Sequence, residues 1–471
     1  MSIRMLGWLA IAFTGCALAG TPLPQDGVYD DLFGNYLPGR TLFQGLEDDS
    51  EVAYGVHAQP DGRLVLAGGY GAIRLSASGV PDTSFGNNAF GVVGMLGIQP
   101  LGASAGYLYP VAVVGQPDGK LVIVGSAEDE NFRFVYAACR TSADGVPDAS
   151  YGENGCAKYA VETGSQQYAA AAAVDAQGRV VVGGWGNFSF GDKMAVVRFT
   201  TGGTLDQTFG TNGRTVLLRF GEIAGENTSD VLGAITFDAN QRILVAGMAT
   251  VSGDGDFAVA RLNAEGRLDT SFGDDGARLL DVMGQHLYDV ANAIAVQRGG
   301  RIIVGGFAHL PNANEPGMTV VGLTPSGEVD TSFGHANGEF IVWPYASSAY
   351  ALCYGLVIQQ DGKIVMIGYT DNPNNLGAAG QDMAIVRLMP NGDALDGTFA
   401  SFGVFTDGFN LGTEADDSSR FDWLWAATLQ GNRIVAVGGA RSNWPNESFV
   451  AIRLTEDNLL ADGFEIPFDL P

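Results

Sequence analysis

The chain has 471 residues, 46% apolar and 16% charged, with 52 acids against 25 Lys and Arg and a net charge of −27. That balance excludes a nucleic-acid binder, which needs a basic footprint to displace counterions, and it disfavours an anionic membrane surface. The apolar share is too high for a disordered acidic chain, and the 68 glycines, about twice the usual share of roughly 7%, point to many turns.

The N-terminus, MSIRMLGWLAIAFTGCALAG, carries Arg4, an apolar run from Met5 to Gly15 and an A-x-A site at Ala17-Leu18-Ala19. This is the pattern of an export signal cleaved near Ala19. The run is shorter than the roughly 20 residues of a membrane span, and no later run is long enough to be one. A second reading takes FTGC as a lipidation site at Cys16, although Phe13 stands where such sites resemble an aliphatic residue. The expected organisation is a signal at 1–19, one domain at 20–456 and a tail at 457–471.

Beyond the signal, DDLFGNYLPGRTLF (30–43) copies the second half of a unit that recurs about every 60 residues. One phrase of that unit runs DGRLVLAGG (61–69), DGKLVIVGS, QGRVVVGGW, NQRILVAGM, GGRIIVGGF, DGKIVMIGY and GNRIVAVGG (431–439), with glycines at 68, 125, 183, 247, 305, 368 and 438. The other is D-x-S-F-G, as in LDTSFGDDG (268–276), with a drifted copy LDGTFASFG at 395–403. Periodic self-similarity on this scale signals a repeat architecture.

In the fourth unit the predicted strands are 233–239, 242–248, 257–263 and 277–282. Val, Ile and Leu dominate, turn residues separate the runs, and nothing has helical spacing. The second strands are apolar almost throughout, as burial on both faces requires. Four-stranded sheets packed face to face around an axis meet that demand. The first unit lacks its first half, and the last (421–456) never reaches D-x-S-F-G. The prediction is an all-β fold: a seven-bladed β-propeller of four-stranded blades, closed by adding the strand near Arg40–Phe43 to the C-terminal strands of the last blade.

Within each unit an Arg ends the third strand and an Asp follows in the turn: Arg74/Asp82, Arg140/Asp148, Arg198/Asp206, Arg261/Asp269, Arg387/Asp396 and, across the chain ends, Arg453/Asp30. Only Gly322/Asp330 lacks the Arg. An Arg–carboxylate contact there pins the hairpin, and the aromatic ring of the phrase fills space between blades. A motif repeated around a ring is scaffold, so these residues are expected to be structural and the chain to have no catalytic set among them. Cys139 and Cys156 fall on neighbouring strands of one blade and are expected to form a disulfide, whereas Cys353 packs as a small hydrophobe.

The connections from strand two to three and from four to one lie on one face of the disc and differ in every blade, including WGNFSFGDK (185–193), ATVSGDGD (249–256) and RSNWPNES (441–448). A binding site is expected on this variable face, with Trp185 and Trp444 suited to a saccharide and Asp254 and Asp256 as a calcium candidate. The adjacent acids Asp416 and Asp417 read as solvated loop. The four histidines, at 57, 286, 309 and 335, have no metal-ligand spacing.

The compound of DGKLVIVG with FAVARLNAEGRLDTSFGDDG resembles the delta-60 repeat of bacterial secreted and surface proteins, a propeller-forming family without an assigned activity. The ending DNLLADGFE (457–465) resembles the terminus of some exported gammaproteobacterial proteins. The resemblance implies the fold and an exported, secreted or cell-surface location, and brings no catalytic residues. The expected function is a monomeric binding or interaction module for an extracellular saccharide or protein. The competing reading is a hydrolase or lyase at the channel mouth.

Overall fold

The structure is a computed structural model. It describes residues 27–455 except 44–50, 70, 88–94, 98–107, 190, 218, 226–227, 283–286, 310–314, 336–337, 343, 345–349, 372–379, 410–420 and 444–445. Seven antiparallel four-stranded sheets form a closed ring: blade 1 (53–97), blade 2 (109–159), blade 3 (167–216), blade 4 (230–280), blade 5 (290–342), blade 6 (351–407) and blade 7. Blade 7 joins Asp422–Gln430, Arg433–Asn443 and Asn446–Leu454 to Arg40–Phe43 from the other end of the chain. The register runs Arg40 opposite Ile452 and Phe43 opposite Phe449.

The core is a set of layers between blades. Val181 and Val196 of blade 3 meet Val245 and Ala260 of blade 4, and the closing layer sets Leu64, Leu66 and Ile73 of blade 1 against Val435, Val437 and Ala451 of blade 7. Each sheet is thus apolar on both faces, which is why the second strands do not alternate.

Every innermost strand carries a β-bulge at one position, leaving Tyr54, Val111, Ala170, Gly233, Asn292, Tyr354 or Trp425 as the extra residue. The bulge explains the glycine of the second strand. It drives the carbonyl two residues before it into the neighbouring strand, so a Cβ at Gly68 would sit 1.8 Å from the Val52 oxygen. In blades 3 and 5, where two glycines adjoin, this close approach is made at Gly184 and Gly306, not at Gly183 and Gly305 as the phrase alignment suggests.

The D-x-S-F-G phrase is a joint between blades. In the six Arg-bearing units, the guanidinium Nε donates to the Asp Oδ2 at 2.8 or 2.9 Å. The structure adds what the sequence did not show: the arginine also reaches the next blade. Arg74 Nη1 donates to Ala143 O at 2.8 Å, Arg140 to Thr201 O at 2.5 Å and Arg453 to Ala77 O at 2.7 Å. In five of these units the other Asp oxygen accepts from the Ser or Thr two residues on, through both amide and hydroxyl, as in Asp269 with Ser271, and Asp30 accepts from the Leu32 amide.

The phrase's aromatic ring lies under the guanidinium, 4.7 Å away for Arg261 over Phe272, and against a glycine of the next blade's turn, Gly327 in that case. The phrase's final glycine donates its N–H to the same turn: Gly273 to Ser326 O at 2.7 Å. Burial opposes ionisation of Asp82, Asp206, Asp269, Asp330 and Asp396, but the Ser or Thr hydrogen bonds and the arginine, joined at Asp396 by a Lys363 hydrogen bond, outweigh it. Each titrates below the usual carboxylate range, Asp396 at about 2.

Blade 5 solves the missing arginine differently. Arg301, from the second strand's start, donates its Nε to Asp330 Oδ2 at 2.7 Å. Phe333 packs directly on Gly322, where any Cβ would lie 2.4 Å from the ring.

Two expectations change. Much of the variable face is hairpin, not loop: strands Val180–Phe188 and Gly191–Phe199, and Ile243–Val251 and Asp254–Leu262, run nearly to their turns. The ladder continues past the core, so its outer residues are polar and read as loop. A six-residue helix, Arg219–Ala224, also lies in the connection from blade 3 to blade 4.

Cys139 and Cys156 face each other across the third and fourth strands of blade 2 and are disulfide-bonded. Cys353 is buried, and burial pushes its thiol up to about 12.

Candidate functional site

The innermost strands surround the channel, and their bulge residues make it lopsided. In blades 6, 7 and 1 that residue is aromatic; in blades 2 to 5 it is Val111, Ala170, Gly233 and Asn292. Tyr354 and Trp425 meet with ring centroids 4.1 Å apart, and Trp425 and Tyr54 at 5.5 Å. The belt continues toward the variable face through Tyr369, stacked on Tyr354 at 5.8 Å, then Trp423 at 6.3 Å and Phe421 at 5.5 Å from Trp423.

Polar groups punctuate this belt. The Trp423 indole N–H donates to Gln381 Oε1 at 2.6 Å, and Arg441 lies 4.9 Å over Phe421 and 5.0 Å over Trp423 while bonding Glu447. The Trp425 indole N–H is shielded from solvent and donates to no acceptor among the described residues. Burial raises the Tyr54, Tyr354 and Tyr369 hydroxyls, so all three stay protonated, with Tyr354 and Tyr369 hydrogen-bonded to each other. Flat apolar faces interleaved with a few fixed donors are the composition of a ligand-orienting site.

Trp185 belongs to a second aromatic row on blades 2 and 3. Tyr109 meets Phe134, Phe134 meets Tyr168, and Tyr168 meets Trp185 at 4.9 Å, its partner across the first two strands. It is half-buried on a strand, not in a loop. Trp444 lies outside the described residues, as do Asp416 and Asp417.

Asp254 and Asp256 open the third strand of blade 4, one half-buried and the other buried. No group of three or more His, Cys, Asp or Glu side chains suited to a metal occurs among the described residues. Asp256 lies near Asp289, which burial pushes up to about 7 against the hydrogen bonds it accepts from the Val282 and His309 amides, with Asp281 and Asp256 adding to the rise.

Asp289 is 1% exposed, and its carboxylate secures the two connections above it. Gln167 and Asp422, at the same position in blades 3 and 7, accept likewise from the Val161 and Phe409 amides. The position is a loop anchor in blades 3, 5 and 7.

A carboxyl raised on folding binds its proton more tightly in the native state, so Asp289 stabilises below its unfolded value and loses that contribution as pH rises through about 7. Between about pH 4 and pH 8, Asp289→Asn should flatten the decline in stability relative to the parent chain. Parallel urea titrations across that window check it; unchanged curvature would refute the assignment.

The model of a family described as "Domain of unknown function (DUF5122) beta-propeller" matches residues 59–85, 116–151, 177–209, 239–272 and 359–399. These segments run from the first turn to the D-x-S-F-G turn of blades 1, 2, 3, 4 and 6, so the repeat of those blades is similar to that of a β-propeller family. No curated protein matches the sequence. Among solved structures, polysaccharide lyase Uly1 is similar at 10% identity and a TM-score of 0.47, over 92% of this chain and 97% of that one. Drosophila Semaphorin 1b, extracellular domains 1-2, is similar at 11% identity and 0.45, over 91% and 87%. A glucose dehydrogenase is similar at 10% identity and 0.37, over 88% and 99%.

Proposed function

We propose that this propeller is an exported binding module that recognises a saccharide at the channel mouth of blades 6, 7 and 1. The observation that carries it is the continuous belt Tyr54–Trp425–Tyr354–Tyr369 with the unsatisfied Trp425 indole N–H inside it. The C–H face of a sugar ring stacks on aromatic planes while its hydroxyls meet phenol groups such as that of the exposed Tyr54. The Cys139–Cys156 disulfide supports export, because such bonds persist in oxidising compartments. The signal-like N-terminus, the delta-60 resemblance and the DGFE ending point the same way.

Catalysis by a hydrolase or lyase is the weaker reading. The most perturbed carboxyl, Asp289, is buried and bound to backbone amides, where no substrate bond reaches it.

A polysaccharide and glycan array with the purified chain tests the proposal, run in calcium and in chelator so that any role for Asp254 and Asp256 is read at the same time. Saturable binding should fall about 30-fold in Trp425→Ala, equivalent to roughly 2 kcal/mol for a buried aromatic anchor. Because Trp425 is partly core, Tyr54→Ala, at an exposed ring, serves as the second variant. Absence of saccharide binding in both buffers overturns the proposal and leaves a protein ligand as the reading.

A further inference from the structure

The ring's uniform face breaks its own pattern at one junction, between blades 5 and 6. Gly322 stands where the clamp arginine stands elsewhere, opposite Ile303 as Arg261 is opposite Leu244. The first turn of blade 5 departs too, reading Gln297-Arg298-Gly299-Gly300-Arg301 where blade 1 reads Gln59-Pro60-Asp61-Gly62-Arg63. In blades 1, 2 and 6 the acid of this turn pairs with the basic residue two positions on: Asp61 with Arg63, Asp118 with Lys120, Asp361 with Lys363. In blade 5 Gly299 removes that acid, while Arg301 keeps to Asp330 the contact that Lys120 and Lys363 make to Asp148 and Asp396, and Arg298 replaces a proline.

A recess of about 430 Å³ lies there, lined by Arg298, Arg301 and Pro325 on one side and by Ile358, Gln360 and Asn391 on the other. That volume is within the usual range of ligand sites, roughly 300–1,000 Å³. Its two carboxylates are each engaged by an internal donor. Asp330 takes Arg301 and Ser332, Asp361 takes Lys363, and the Pro390 carbonyl takes Gln297 Nε2 at 2.8 Å. Arg298 is exposed and makes no hydrogen bond or ion pair among the described residues, and Asn391 receives Arg301 on Oδ1, leaving its amide N–H groups to donate.

We infer that this recess binds a small organic carboxylate, held by the Arg298 guanidinium and the Asn391 amide, with its carbon skeleton against Ile358 and Pro325. A guanidinium with no internal partner matches a carboxylate in a planar, bidentate way that a neutral ligand cannot reproduce. The site is on the opposite face from the aromatic belt and is independent of it.

Isothermal titration with D-glucuronate, and with D-glucose as its neutral counterpart, tests the inference. Glucuronate should bind with 1:1 saturation and glucose at least about 10-fold more weakly, the loss expected when a charge-assisted bidentate pair is forgone. Arg298→Glu should weaken glucuronate by about 10-fold or more at unchanged melting temperature, since Arg298 makes no internal contact to lose. Trp425→Ala should leave this binding intact, which separates it from the channel. Failure of glucuronate to saturate, equal binding of glucose, equal affinity in Arg298→Glu, or loss in Trp425→Ala each overturns the assignment.

Discussion

Arg453→Ala is expected to destabilise the ring by about 3–5 kcal/mol, the usual cost of stranding one member of a buried ion pair. Arg453 and Asp30 are each 5% exposed, and their bond joins residues 423 apart in sequence. Arg433, 3.5 Å from Asp30 and far more exposed, is a poor substitute. The same guanidinium covers Phe33 and donates to Ala77 of blade 1, so one side chain ties the N-terminal segment, blade 7 and blade 1 together.

Arg198→Ala removes the same chemistry, with Asp206 at 2.8 Å and Ala264 O at 2.5 Å, but within a stretch of continuous chain. Blades 3 and 4 stay joined covalently by their own connection. The covalent link between blades 7 and 1 runs through the strand Arg40–Phe43, which must stay paired for the ring to stay shut. The loss should therefore be larger for Arg453→Ala, with earlier proteolysis ahead of Phe43. Thermal and urea unfolding of both variants decides it. Equal losses would mean that closure is no weaker than any other seam.

The repeat made the architecture readable. Seven copies of each phrase, offset by half a unit, specify seven blades and a mixed last one, because side-chain period and turn chemistry are local properties. The channel belt was not readable in the same way. Tyr54, Tyr354 and Trp425 look like ordinary strand residues, and only the bulge, a property of pairing register, aligns them in one layer of three adjacent blades. Aligning the seven first strands on their bulges would have exposed that column. Attention to variable connections led instead to Trp185, which is on a strand beside Tyr168, and to Trp444, outside the described residues. Arg301 was missed for a similar reason: its reach to Asp330 is a three-dimensional substitution across 29 residues.

The second large effect is expected at Gly266, where blade 4 receives Phe209 of blade 3. Gly266 has φ +78°, and a Cβ there would lie 2.5 Å from the Phe209 ring. Gly266→Ala should cost about 2–5 kcal/mol, combining left-handed backbone strain of roughly 1–2 kcal/mol with overpacking of about 1–3 kcal/mol. Gly119→Ala isolates the first contribution, since Gly119 has φ +83° and no atom within 4 Å of its would-be Cβ. Phe209→Ala alone should cost about 3–5 kcal/mol through the cavity it leaves. In the double variant the methyl introduced by Gly266→Ala enters the space the ring has left, so the combined loss should fall short of the sum by about 1–2 kcal/mol. Strict additivity would mean that blade 4 shifts away from the methyl at no cost and that ring-on-glycine contact does not set the spacing between blades. Non-additivity would extend to the other junctions built this way, including Phe399 against Gly27, where the glycine arrives from the far end of the chain.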